Sequence, residues 1–515
     1  MFDQLVEAAT GSRAPAAVGA WARVENAACA RRLAAIADEL ERLRAEAGSA
    51  DRELWCIDNW DAVAASVAAA QQVSLGVASH QLSVALELRD LPRVGQVFAA
   101  GAISYRLVAA VIARTRLIVD DQARAKVDRA LAARISGWGP LSAAKTETEI
   151  DYWVDRYDPA ALRRAEDHAR GRYVDVHAGT DGSGTASIEA LLFAPDADAL
   201  DRRLDAMARA VCDGDPRTLE QRRSDALGAL GHGGDRLACG CDDPRCDAAG
   251  VQPSAVVVHV VADEESLTDD TAVALDGESA PGPSAAELRQ MTIGEALSPR
   301  PEEMIPRFAA TAPAVIIGGG LLPAPLLAAK LAHTARIVPI VFPGDSPPER
   351  RYIPSAVLAT FVRCRDLTCR FPGCDAPADV CDVDHTIPYP VGPTQAANLK
   401  CLCRKHHLLK TFWGWRDRQL PDATLVWTSP HGQSYTTHPG SRLLFPRLCR
   451  PTAAVTGREE LRDESGTGAT NRGLMMPRRK QTRAQQRANT IADQRRANEP
   501  WAAERIAERN KPPPF

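Results

Sequence analysis

Between Arg363 and Trp415 the chain carries Cys369-x4-Cys374, the pair Asp384-His385, then Asn398, Cys403-x2-His406 and His407. Two sets of side chains are interleaved there, and each points to its own chemistry. Cys369, Cys374, Cys403 and His406 form two knuckles of soft ligands, which together supply the four tetrahedral positions of a structural zinc ion. The second set is harder and suits hydrolysis. His385 is an imidazole able to take a proton near neutral pH, while Asp384 and His407 offer an oxygen and a nitrogen to a hard divalent cation such as Mg²⁺. A phosphodiester attacked in line by water needs a base for the water and positive charge on the leaving oxygen, and these three residues meet both needs. His406 and His407 are neighbours on an expected helix, where they point about 100° apart and can serve different ions. Cys364, Cys381 and Cys401 lie outside the knuckles and read as buried thiols.

To position these groups, residues 383–389 are expected as a strand, 391–397 as a loop with Gly392 and Pro393, and 399–411 as a helix, a ββα unit closed around a metal. Asp384 and His385 would face opposite sides of an ideal strand, so a bend is expected to bring both to one cation.

With those letters in place, the stretch resembles the HNH endonucleases. Asp384-His385, Asn398 and His407 stand where that family's D-H, N and H stand. The resemblance implies that His385 is the general base, that Asp384 and His407 bind the catalytic cation, and that Asn398 pins the loop that aims the His385 ring. Arg404, Lys405 and Lys410 on the same helix are candidate nucleic-acid contacts. The alternative is a non-catalytic, zinc-stapled nucleic-acid-binding protein of a mobile element.

At 515 residues the chain exceeds one ordinary domain. Its beginning shows no basic start followed by an apolar stretch, so the thirteen cysteines read as thiols and zinc ligands in a reducing cytoplasm rather than as disulfides. No apolar run approaches the roughly 18–20 residues that span a bilayer, and no membrane partner is expected. Net charge is −4, but it is divided unevenly. Residues 351–515 hold 26 Lys and Arg against 15 Asp and Glu, whereas the remainder holds 36 against 51. A basic segment around the candidate nuclease site is where DNA would dock.

Upstream, helical spacing of apolar residues over 16–46, 61–71, 79–88, 91–99, 104–115 and 120–135 predicts an alanine-rich bundle. Further helices are expected at 142–156 and 159–170; Lys145, Glu147, Glu149 and Asp151 scatter around the first and read as a solvated face. Residues 172–177 and 185–192 alternate about a glycine turn as a hairpin, and helices follow at 197–212 and 218–230. Cys239-x-Cys241-x4-Cys246 then forms a second cluster, a candidate metal site whose fourth ligand is open among His232, His259 and Cys212. A strand is expected at 255–262 and an exposed acidic loop at 269–283. Gly318-Gly319-Gly320 joins a strand at 314–317 to a helix at 323–331. Pro323 stands where a dinucleotide fingerprint wants glycine, and no Lys-Ser/Thr pair follows, so a tight turn and no nucleotide cofactor are expected. Past the module, 424–437 reads as a hairpin about Pro430-His431-Gly432, with His431 and His438 near possible phosphate. From Pro451 the composition predicts a disordered tail with a nascent basic helix.

The run from Tyr352 through Cys374, Leu91-Pro92, Gly101-Ala-Ile-Ser104, the Cys239–Cys246 cluster and the Gly318 turn are together similar to the actinobacterial 13E12 repeat HNH proteins, over most of residues 20–440. That resemblance implies an N-terminal domain of unknown function and imports no activity to it. The expected fold is α+β: a helical region at 1–170, a mixed remainder at 171–350, the zinc-stapled HNH module at 351–445 and a basic tail at 446–515. The expected activity is metal-dependent endonucleolytic hydrolysis of DNA in the cytoplasm.

Overall fold

The computed structural model describes residues 2–13, 16–139, 141–162, 172–179, 183–241, 243, 245–246, 248, 258–269, 289–292, 294, 311–331, 335–455 and 475–511. The architecture is α+β. The N-terminal part is built from α1 (Phe2–Thr10), α2 (Ala16–Arg44), α3 (Ser49–Arg52), α4 (Asn59–Gln71), α5 (Leu75–Arg89), α6 (Pro92–Ala99), α7 (Tyr105–Thr115), α8 (Asp121–Ala132) and α9 (Ala143–Tyr157). Their starts are written in the sequence. Asp58, Ser74, Ser104, Asp120 and Ser142 each accept a hydrogen bond from a backbone N–H of the first turn they cap, and Pro92 opens α6. Small alanines on α4 let its axis sit deep against α5, with Ala64, Ala65 and Ala68 fully or nearly fully buried.

Of the helix expected over 159–170, the described residues show a 3-10 turn at Pro159–Ala161; residues 163–170 lie outside the described residues. The hairpin is present as β1 (Tyr173–Ala178) and β2 (Ala186–Leu191), in antiparallel register Tyr173↔Leu191. It is followed by α10 (Ala194–Arg209) and α11 (Leu219–Gly231). Of the expected strand at 255–262, the described residues 258–262 form strand only at β3 (Val260–Val261); residues 255–257 and the loop at 270–283 lie outside the described residues. The glycine turn does not lead from strand to helix directly. It closes a hairpin of β4 (Ala314–Ile316) and β5 (Leu321–Leu322), completing a sheet of order β3-β4-β5 before α12 (Ala324–Lys330). Gly318 takes φ +82°, the left-handed region that glycine enters freely.

The C-terminal part begins with α13 (Ala356–Asp366), capped by Ser355. Here the expected helix over 399–411 is corrected. Leu399–Leu402 is a strand, β7, paired antiparallel with β6 (Asp382–His385), and the helix α14 runs only over Arg404–Phe412. The β6 pairing requires Leu399, Cys401 and Leu402 to be buried beside it, and tertiary pairing overrides the helical spacing of the apolar residues. A meander of β8 (Arg416–Gln419), β9 (Leu425–Thr428) and β10 (Ser434–Thr437) follows.

One apolar core runs through both ends of the chain, from Leu33, Leu82 and Phe98 to Phe361, Phe371, Trp415 and Trp427. The helical region and the C-terminal module are therefore packed as one body. Trp413 Nε1 donates to Ile57 O at 3.0 Å, and Trp55 meets Phe412 and Trp413 edge-on. Gly373, at φ +72°, lies so close that a Cβ would fall 2.8 Å from Val73 O.

The tail departs most from expectation. Thr482 and Gln485 form a capping box, and α15 (Arg483–Arg509) lies along the N-terminal helices. Arg479 and Arg483 pair with Asp58 and Asp61, Arg487 with Glu87, Arg495 with Asp158, and Arg505 and Arg509 with Asp155. Asn498 is buried, its amide donating to Ala160 O and Leu162 O. The tail has little to bury, so composition alone reads as disorder; what orders it is complementary charge more than 300 residues away. Residues 456–474 lie outside the described residues. No single helix among the described residues is long and apolar enough to cross a membrane.

Replacing Arg479 and Arg483 together by alanine strips buried Asp58 of both guanidinium partners. Each charged hydrogen bond is worth about 1.5–3 kcal/mol, so amide hydrogen exchange in α15 should accelerate roughly tenfold to hundredfold while α4 to α8 change little.

Candidate functional site

Two segments converge on one point in the C-terminal module. Cys369 and Cys374 come from the turn after α13, Cys403 stands just before the first residue of α14, and His406 lies in the first turn of that helix. All their ligand atoms lie within 4.8 Å of one another. His406 presents Nδ1, 3.2 Å from Cys403 Sγ and 3.6 Å from Cys369 Sγ. Metal–sulfur bonds of about 2.3 Å and metal–nitrogen bonds of about 2.0 Å place tetrahedral ligands about 3.5 Å apart, so this set fits a metal ion. Its other face is held by aromatic packing: Phe371 stacks on the His406 ring at 4.0 Å with the planes 6° apart. Cys364, Cys381 and Cys401 are buried outside this cluster, as the sequence suggests, and Cys381 Sγ donates to Pro377 O.

His407, the next residue, turns a different way. Asp382 Oδ2 lies 2.8 Å from His407 Nδ1; a carboxylate can only accept, so Nδ1 carries a proton and Nε2 is left to face the other way. That Nε2 faces Asp384 Oδ1 at 3.4 Å. The gap exceeds the about 2.7–2.9 Å of a charge-assisted hydrogen bond and matches two ligands flanking one cation. A carboxylate that orients a ligand histidine through its second nitrogen is what metal sites require, and Asp382 fills that place. The sequence reading missed it, although its alternation with Asp384 along one strand was a usable signal.

Asp384 is engaged on its other oxygen. Oδ2 accepts from Lys400 and Lys410, each at 2.7 Å, and both ammoniums also pair with buried Asp417. Lys400 is fully buried, directly across the ladder from Asp384. Burial pushes the Asp384 carboxyl up, but Lys400, Lys410 and His407 outweigh it and hold the group well below the usual carboxylate range. Burial lowers the Lys400 pKa against the pull of Asp384 and Asp417. Lys410, less buried, is raised by those two carboxylates against the cost of its burial. Lys400 and Asp417 carry no motif and were not anticipated.

Three expectations are corrected here. Lys410 is not a free nucleic-acid contact, because its ammonium is turned inward to Asp384, Asp417 and His385 O. Lys405, 43% exposed, points to Asp61 of the helical region at 3.4 Å, and Arg404 is 67% exposed and 3.4 Å from Asp382. The bend expected at Asp384-His385 does not break the ladder: both residues keep regular pairing, with Lys400 and Leu399, and His385 is the last residue of β6. His431 and His438 are also taken up internally, by Glu39 and by Thr424 with Arg442.

His385 is buried. Its Nε2 is 2.8 Å from Thr394 Oγ1, and that hydroxyl donates to Arg351 O. Thr394 has spent its proton, so it accepts from Nε2–H and leaves Nδ1 as the basic nitrogen. Tyr352 stacks on the ring at 5.4 Å. Burial lowers the His385 pKa, Asp384 opposes this, and Lys400 and Lys410 reinforce it, so the ring is kept neutral below its ordinary range. Asn398 fixes the loop that follows: its Oδ1 accepts from Ile387 N, and its Nδ2 donates to Ile387 O and Pro393 O. Gly392 packs so tightly that a Cβ would fall 2.6 Å from Asn398 Nδ2.

The second sequence cluster also closes. Cys212, from beyond α10, joins Cys239, Cys241 and Cys246 with all four sulfurs within 4.8 Å of one another; His232 and His259 are not in the group.

These features define an α+β protein with two groups of cysteine and histidine side chains able to hold metal ions. The chain belongs to the family described as Domain of unknown function (DUF222), whose model matches residues 20–289. It is 49% identical over 507 residues to Uncharacterized protein Rv2100 of Mycobacterium tuberculosis (strain ATCC 25618 / H37Rv), covering 97% of this chain and 89% of that protein. To Uncharacterized protein Rv3776 of the same strain it is 48% identical, with coverage of 97% and 91%. A third M. tuberculosis protein, "Uncharacterized protein in est 3'region", is 45% identical over 67% of this chain and 94% of its own length. No solved structure matches. The family match contains the Cys212–Cys246 group and ends before Cys369.

Lys400→Ala leaves one ammonium for two buried carboxylates. It should lower unfolding stability near neutral pH by about 3–5 kcal/mol in chemical denaturation. Asp384 has a depressed folded pKa, so its contribution is present above the unfolded carboxylate value of about 3.9 and is lost as pH falls through the folded one; the deficit should therefore shrink at acid pH.

Proposed function

We propose that this chain is a divalent-cation-dependent endonuclease that hydrolyses DNA phosphodiesters, with the Cys369, Cys374, Cys403 and His406 cluster holding a structural zinc ion. The observation that carries the reading is the facing pair His407 Nε2 and Asp384 Oδ1, preset by Asp382 and by two lysines on the far oxygen of Asp384. A divalent cation held there would supply positive charge to the leaving 3′ oxygen and to the transition state. The chain's own residues do the rest. His385 Nδ1 takes the proton of the attacking water as its oxygen bonds to phosphorus and the bond to the 3′ oxygen breaks. Thr394 holds the tautomer that makes Nδ1 the base, and Asn398 holds the loop that carries Thr394. The lysines keep Asp384 ionised. The resemblance of these letters to the HNH endonucleases supports DNA as the substrate, and the helical region packed against the module would help position it.

A second reading has its own observation. Lys400 and Lys410 already balance Asp384 and Asp417, as in a purely structural ion network, and this fits a non-catalytic, zinc-stapled nucleic-acid-binding protein.

Full-length protein given Mg²⁺ or Mn²⁺ should nick or cut DNA, and chelation should stop it. His385→Ala should reduce the rate by about 10²–10⁴-fold with zinc content unchanged. Salt-sensitive DNA binding without cation-dependent cleavage would favour the second reading. The acid limb of the rate profile should fall below the ordinary histidine value of about 6.5, because the buried His385 stays neutral to lower pH. A limb at or above that value would remove His385 from the role of base.

A further inference from the structure

The Cys212, Cys239, Cys241 and Cys246 group lies outside the module and outside the proposed reaction. Three of its thiols lie at 239, 241 and 246 and the fourth comes from just beyond α10. Cys212 Sγ and Cys239 Sγ are 3.4 Å apart, well beyond the about 2.05 Å of a disulfide. That separation is close to the about 3.8 Å edge of a tetrahedron of sulfurs around one metal.

The loop is built to hold this arrangement. Asp215, with its side chain fully buried, accepts from Gly240 N at 2.8 Å and from the Arg217 guanidinium at 2.6 Å. Arg217 in turn donates to Ala238 O at 2.7 Å, so one ion pair fixes the backbone on both sides of Cys239. Cys239 N donates to Ala248 O, drawing the Cys246 end of the loop back. Position 240 is a glycine where the loop passes Asp215, Pro216 and Arg217.

What surrounds the thiols is a small core. Besides Cys239, the buried members are Met207, Val211, Ala226 and Leu237, the apolar contribution of α10, α11 and the loop after them. A patch of this size is too small to order two helices and a loop unaided, which is the situation in which small folds recruit a metal. Four thiolates in tetrahedral array suit zinc, with iron the other common occupant.

We propose that Cys212, Cys239, Cys241 and Cys246 bind a second structural zinc ion, which staples the loop at 237–248 to the α10–α11 hairpin within the DUF222 domain. The four thiols give up their protons as it binds, and the site needs no open coordination position. Its role is independent of the module's chemistry.

The test is metal analysis of full-length protein purified under reducing conditions. Wild type should carry two zinc ions per chain, Cys212→Ser and Cys241→Ser one, and Cys403→Ser one. Cys212→Ser should also speed hydrogen exchange across α10 and α11 while leaving α4 to α8 unchanged. If these variants are insoluble, cobalt titration of the metal-free wild type decides: two equivalents should bind, one with the absorption of four-thiolate coordination. Zinc content unchanged from wild type in Cys212→Ser, iron in place of zinc at this group, or a Cys212–Cys239 disulfide in the reduced preparation would each overturn the proposal, whereas a single wild-type zinc lost in Cys212→Ser and kept in Cys403→Ser would uphold it and remove the zinc from the module instead.

Discussion

The constraint on which the module depends is that four soft ligands from separated segments must point at one centre. Cys403 does two things at once: it stands at the N-cap position of α14 and supplies a sulfur to the cluster. His406 is thereby fixed toward the sulfurs by its stack on Phe371, and the helical rotation per residue then forces His407 outward toward Asp382 and Asp384. One helix thus hands neighbouring imidazoles to two different tasks. Loosening the cluster would let α14 turn, and the 3.4 Å approach of His407 to Asp384 would go with it.

The second determinant is electrostatic. Asp384, Lys400, Lys410 and Asp417 are all largely buried and mutually paired, so the charge of each is tolerable only with the others present. The tail extends the same logic over a longer range. Its arginines are matched with carboxylates of the N-terminal helices, so the uneven charge along the sequence is in large part internal neutralisation rather than a free basic surface. Arg404 remains exposed near the candidate site, whereas Lys410 does not.

The cysteine and histidine sets were legible because ligand identity and spacing are local. The helical region was legible because its caps and apolar spacing are local as well. Illegible were the features that depend on distant partners. Leu399–Leu402 looks helical until β6 is placed beside it, Lys400 looks like a surface residue until Asp384 lies across the ladder, and α15 looks disordered until Asp58, Asp155 and Asp158 face it. Cys212 belongs with these, a ligand separated from its partners by a helix. Asp382 and Thr394 lie closer to home. The strand alternation of Asp382 with Asp384 could have exposed it, whereas Thr394 is set by a loop geometry that propensity does not encode.

The central claim is that His406 and His407 serve separate ions. Anomalous diffraction from crystals of the full-length protein grown with zinc and soaked in Mn²⁺ tests it directly. A zinc peak among Cys369, Cys374, Cys403 and His406, with a separate manganese peak between Asp384 Oδ1 and His407 Nε2, is the expected result. A manganese-free site between Asp384 and His407 at saturating concentration, or a single ion shared by both imidazoles, would contradict it.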